Sequence, residues 1–169
     1  TASVSGASGF AIVGNGTITI AAGQSGTVTV SATAVAGSAT AGATIQGTLT
    51  LATNDPNNAS IKLPITETPH GATLSWVTPA SGAADFGQQS VGKTSTTPLT
   101  LKNTGNADVQ VTFGAPTSAD FAVAPATGTV TAGGTFANLT ASFTPASTGS
   151  ASATSAIKTT GAICGTSAS

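Results

Sequence analysis

Side chains able to do chemistry are few in this sequence and stand apart from one another. His70 is the only histidine and lies in Thr68-Pro69-His70-Gly71. A metal site or a serine–histidine relay needs further donors converging on that ring, and the chain supplies no second imidazole. The residue reads as a solvated linker position. Cys164 is the single thiol, so no disulfide can close within the 169 residues. Its small neighbours offer nothing to lower its pKa toward that of a nucleophile, and it reads as a small buried residue, with a disulfide to another chain or to a cysteine outside this stretch as the alternative. Asp55 stands among Asn54, Asn57 and Asn58, where oxygen ligands for calcium would gather. A calcium loop usually collects several carboxylates, whereas one carboxylate among asparagines is turn chemistry. Asp85, Asp108, Asp120 and Glu67 are dispersed, with no spacing that pairs two of them for acid–base work.

Three acceptor patterns for N-glycosylation, at Asn15, Asn58 and Asn138, arise readily by chance in a chain this rich in Ser and Thr. Trp76, the only tryptophan, reads as a core or interface aromatic, with a stacking platform for sugar as the alternative. The sequence therefore predicts no catalytic residue, no cofactor, no metal and no enzyme.

Composition narrows the class further. Charged residues make up 5% of the chain and the net charge is -1, yet 39% of residues are apolar, so a folded chain with a neutral, hydroxyl-rich surface is expected rather than a disordered one. The four lysines (Lys62, Lys93, Lys102, Lys158) are scattered and there is no arginine, which leaves no footprint for nucleic acid or an anionic membrane surface. No apolar run approaches the roughly 18 residues of a spanning helix, so membrane insertion is not expected. A start at Thr1 with no methionine anywhere suggests a processed product or a piece of something longer. Sparse charge, many threonines and one cysteine suit an extracellular or cell-surface protein.

The elements that carry these residues are strands. Residues 85–113 read as a strand, a turn, a strand ending in the polar turn Asn103-Thr104-Gly105-Asn106, and a third strand through Val109, Val111 and Phe113, with Phe86 and Val91 as anchors. Residues 1–9 are small and polar. Phe10, Ile12 and Val13 open a short strand, residues 17–20 and 27–35 alternate hydroxyl and apolar side chains about a Gly-rich turn, and residues 44–53 and 59–67 form a hairpin across Asn54-Asp55-Pro56-Asn57-Asn58. Pro69, His70 and Gly71 break the pattern and serve as the linker between domains spanning 1–70 and 71–169. An internal repeat appears at an offset near 111, with Phe10-Ala11-Ile12 on Phe121-Ala122-Val123, and with Val28, Val30 and Ala32 on Leu139, Ala141 and Phe143. Nothing in the first half corresponds to residues 85–113, and the far end, Ala162 to Ser169, reads as a weak or truncated last strand.

The runs D-F-G-x-x-x-V-G at 85–92, T-L-K-N-T-G-N at 100–106, S-A-D-F at 118–121, T-A-G-G-T at 131–135 and F-T-P at 143–145 resemble those of the ASH/HYDIN-type immunoglobulin-like domains, as found in bacterial choice-of-anchor D surface proteins. The resemblance covers residues 72 to about 160 in full and 1–70 in part. It implies an all-β fold of tandem immunoglobulin-like sandwiches, here two, and a scaffold family without catalytic residues; the first sandwich departs from the family pattern by lacking its opening strands.

A sandwich lacking strands exposes an apolar groove and unpaired backbone groups. The expected function is thus a structural, self-associating extracellular protein, a fibre or pilus-like subunit in which a neighbouring chain donates strands to the first domain. Its partners are then further copies, joined by β-strand addition through Phe10, Ile12, Val28, Val30, Ile163 and Cys164. The alternatives are an adhesin or spacer module of a longer surface protein that binds glycan or protein, and a stretch of a longer array whose missing strands lie on the same polypeptide.

Overall fold

In the computed structural model, residues 1–6 and 9–165 are described. Every regular element among them is a β-strand, and the chain divides into two compact units. Unit 1 comprises Thr1–Ala36 and Ala43–Pro69, and unit 2 comprises Gly37–Gly42 and His70–Ser169. The sequence reading leaves residues 37–42 in the first domain; their contacts lie with the second, where the Gly37 carbonyl accepts a hydrogen bond from the Gly165 amide at 2.6 Å.

Unit 1 holds a three-stranded antiparallel sheet, in which β4 (Ile45–Ala52) is flanked by β1 (Ala2–Gly6) and β5 (Ser60–Glu67), and a two-stranded sheet of β2 (Phe10–Ile12) and β3 (Val30–Ala32). The β4–β5 hairpin follows from alternating Leu, Ile and Thr on either side of a turn that its own side chains tie. The Asp55 carboxylate accepts from the Asn57 amide and the Asn58 side chain, each at 2.9 Å. Strand β1 is a correction, since residues 1–9 read only as small and polar. Its Ser-Val-Ser alternation pairs in full with β4, from Ala2 opposite Leu51 to Gly6 opposite Gly47. Residues 17–20 are the opposite correction: the period-two run TITI forms no strand.

Unit 2 opens with β6 (Leu74–Thr78), followed by β7 (Ser95–Pro98), β8 (Thr100–Asn103), β9 (Val109–Phe113), β10 (Phe121–Ala124), β11 (Thr127–Val130), β12 (Thr140–Phe143) and β13 (Ile157–Thr160). Strands β7 and β8 run on through Leu99, whose amide donates to the Leu139 carbonyl at 2.8 Å. The ladders β10-β12-β7 and β8-β6 are thereby joined edge to edge, and the second layer is β11-β9-β13. Leu74, Leu101, Val109, Val111, Val130, Phe136 and Leu139 fill the space between them. The expected strand at 85–91 is absent. Asp85 instead caps a turn by accepting from the Gly87 amide at 2.8 Å, Phe86 packs on Phe121 and Phe143, and Val91 is exposed.

The motif T-L-K-N-T-G-N acquires a physical meaning here. Asn103 has no solvent exposure, and its Oδ1 accepts from the amides of Thr73 and Gly105 at 3.0 and 2.9 Å. Its Nδ2 donates to the carbonyls of Ala107 and Val130 at 2.8 and 3.2 Å. A buried amide side chain carries two donors and an acceptor with two lone pairs, and this one uses all of them.

Candidate assembly site

The two units differ most in what they bury. The buried hydrophobic cluster lies wholly in unit 2, and unit 1 contributes only Ala2 and Pro69 to the buried apolar side chains among those described. Cross-strand pairing nevertheless gives the β1-β4-β5 sheet a continuous apolar face. Ala2, Leu51 and Ile61 form one row and Val4, Leu49 and Leu63 the next, because directly opposed residues share a face. Among the described residues of unit 1 nothing covers the β5 side of these rows, and Ile61 and Leu63 remain 44% and 45% exposed. Facing the β1 side, Ile18 and Ile20 are 40% and 52% exposed. An open groove of about 750 Å³ runs here, lined by Ile18, Ile20, Val28, Leu49 and Leu51, and no charged side chain lines it. Covering such side chains fully is worth roughly 1.5–3 kcal/mol each, so the groove favours an apolar occupant.

Of the residues singled out in the sequence, Phe10 and Ile12 lie on β2, Val30 on β3 and Val28 just before it, all half-buried in unit 1. Phe10 rests on Gly47, where a Cβ would come within 2.9 Å of the ring. Ile163 and Cys164 belong to unit 2 and are internal to it. Ile163 bridges in parallel to Ala72 and packs against the core. Cys164 is 5% exposed, and its amide and carbonyl bond to the Ala72 carbonyl and the Thr73 hydroxyl, both at 2.8 Å. In the linker, His70 is exposed while Pro69 and Gly71 are buried, and the Gly71 amide donates to Asn106 Oδ1 at 2.9 Å. Sequence reasoning missed Ile18, Ile20, Leu49 and Leu51 as groove residues. Their alternation was visible, but alternation alone does not say which face is left uncovered.

A second cleft, of about 600 Å³, opens within unit 2 between Trp76, Phe86, Phe113, Phe121 and Phe143. Phe121 stacks on Phe143 at 4.4 Å, and Trp76 lies 6.3 Å from Phe113. Among the described residues, no group of three or more His, Cys, Asp or Glu is placed to hold a metal ion.

A family model described as HYDIN/CFA65/VesB-like, Ig-like domain matches residues 80–166. Comparison with curated proteins finds no match.

Proposed function

Because the chain belongs to the HYDIN/CFA65/VesB-like, Ig-like domain family, a fold that serves as a structural module, we propose that it is a self-associating subunit of an extracellular or cell-surface fibre, non-catalytic, in which a strand from a neighbouring chain completes unit 1. The observation that carries this reading is the uncovered apolar face of the β1-β4-β5 sheet, above all Ile61 and Leu63 opposite Leu51 and Leu49. Apolar rows of this kind are stable when a second layer covers them, and a strand added to the β2-β3 hairpin, whose Phe10 rests on Gly47 of β4, would widen that layer while gaining backbone hydrogen bonds. A contact in which one chain donates and the next accepts does not close on itself and propagates into a filament. The low charge of the chain, 5% of residues, removes one usual barrier to strand addition.

Electron microscopy of native material with intact mass from the same sample tests the reading. Filaments built from chains of 15.9 kDa are the expected result. Isolated, folded single chains at all concentrations would overturn it, and a much longer chain would place the completing strand on the same polypeptide.

The aromatic cleft of unit 2 favours a second reading, a spacer or adhesin module that binds glycan or protein through Trp76. Saturable ligand binding that is lost in Trp76→Ala while the fold is retained is its signature.

A further inference from the structure

Resting on the strand-completion reading, the geometry points to the place, register and chemical class of the added strand. It docks antiparallel on the free edge of β3, in the position that β7 and β8 take beside β12, and it presents uncharged residues to the groove. Its occupant is an extended segment of a neighbouring chain with the inward alternation of Thr97, Leu99 and Leu101.

The repeat fixes the register. In unit 1 Phe10 stands opposite Ala32 and Ile12 opposite Val30; in unit 2 Phe121 stands opposite Phe143 and Val123 opposite Ala141, each number 111 higher than its counterpart. The flanking bond agrees as well, from the Thr33 amide to the Gly9 carbonyl in one unit and from the Thr144 amide to the Asp120 carbonyl in the other. The two hairpins are therefore the same element. On its far edge β12 carries Thr97 opposite Ala141 and Ser95 opposite Phe143, and the Leu99 amide bonds the Leu139 carbonyl. On β3 that edge has no strand among the described residues.

The edge is also built to accept one. The Thr29 carbonyl and the Thr33 amide turn toward β2, so the alternate residues Val28, Val30 and Ala32 direct their backbone groups outward. No proline or charged residue interrupts Thr27 to Thr33. The edge of β5 is the contrast. There the Thr53 amide bonds the Ala59 carbonyl across the turn, which by the same alternation turns the nitrogen of Pro64 outward, where it has no proton to give. Burial points the same way. Leu139, Ala141 and Phe143 are 2%, 8% and 8% exposed under their strand, whereas Val28 and Val30 are only half-buried and Ala32 is exposed.

The test uses the full chain and a fluorescent synthetic peptide with the sequence Ser95–Asn103. Saturable binding is expected, with slowed hydrogen exchange at the amides of Val30 and Ala32, the counterparts of Ala141 and Phe143. Val30→Pro removes one outward amide, leaves the β2–β3 bonds untouched, and should weaken binding roughly tenfold or more. Val28→Lys, which places a charge in the groove, serves if the proline variant does not fold, and should weaken binding likewise. Binding that both variants leave unchanged, or unchanged exchange at those two amides in peptide-saturated or assembled chains, overturns this docking. If filaments still form in that case, the strand-completion reading stands and only its register falls; single chains in every condition would sink that reading itself.

Discussion

Asn103 donates from Nδ2 to the carbonyl oxygen of Val130 at 3.2 Å, joining β8 in one layer of unit 2 to β11 in the other through a side chain with no exposure to solvent. The same amide satisfies three other backbone groups, so its removal strands several buried donors and acceptors together. Asn103→Ala should destabilise unit 2 by about 3 kcal/mol or more. Asn103→Asp keeps the shape but cannot donate to the Ala107 and Val130 carbonyls and sets a charge in the core, and it should be no milder. Urea unfolding followed by Trp76 fluorescence measures both.

Gly105 packs against the backbone that leads into β6. A Cβ there would lie 2.6 Å from the Ala72 Cα and 2.7 Å from the Thr73 nitrogen, and backbone cannot swing aside as a side-chain tip can. Gly105→Ala is expected to cost about 2–4 kcal/mol. A loss under about 0.5 kcal/mol in the same urea assay would show that the Gly71–Thr73 segment is looser than this packing requires.

The Asp55 carboxylate is held below the ordinary aspartate range, first by the Asn58 side chain and then by the Asn57 amide. A carboxyl whose folded pKa is depressed contributes stability that is full above its unfolded value and is lost as pH falls through the folded one. The turn between β4 and β5 should therefore be indifferent to pH from neutrality down to about 5 and loosen below about 4. NMR titration of the Asp55 carboxyl should give a midpoint under the ordinary value. A midpoint at or above that value would contradict these two hydrogen bonds.

Cys164 is buried beside Gly71, where even a Cβ on the glycine would come within 2.5 Å of the sulfur. Alkylating reagents should reach it only when unit 2 opens, so its labelling rate should track urea concentration rather than reagent access. Fast labelling in native buffer would place the thiol at the surface. Cys164→Ser should cost about 1–3 kcal/mol, the penalty of burying a hydroxyl where a thiol was.

The architecture of unit 2 was legible because its strands carry two independent signals, alternation and turn residues. Leu99 and Leu101, and then Val109, Val111 and Phe113, fall where the period of two puts them. The repeat was legible too, since Phe10 and Phe121 occupy one register. Local patterning misled at TITI, where alternation is as clear as in β4 but only a strand neighbour can turn it into a ladder. It misled again at Asp85 to Val91, where Asp and Gly chose a capped turn. The groove could not be read at all from neighbouring residues, because exposure of Ile18 and Ile20 depends on what stands over them. Nor could the buried role of Asn103, which in sequence looks like any other turn asparagine.

The proline nitrogen on the outer side of β5 has a consequence for counting. One border of its three-stranded sheet cannot give a hydrogen bond at Pro64, and the other is tied by the Ala2 amide to the Gly16 carbonyl at 2.6 Å, which leaves, among the described residues, the two outer edges of the β2-β3 hairpin as places where a ladder can grow. If strands add on β3 alone, titration of the peptide should saturate at one per chain and any polymer the chains form should be unbranched, with a length set by supply rather than by geometry; a second bound peptide would place one on β2 as well.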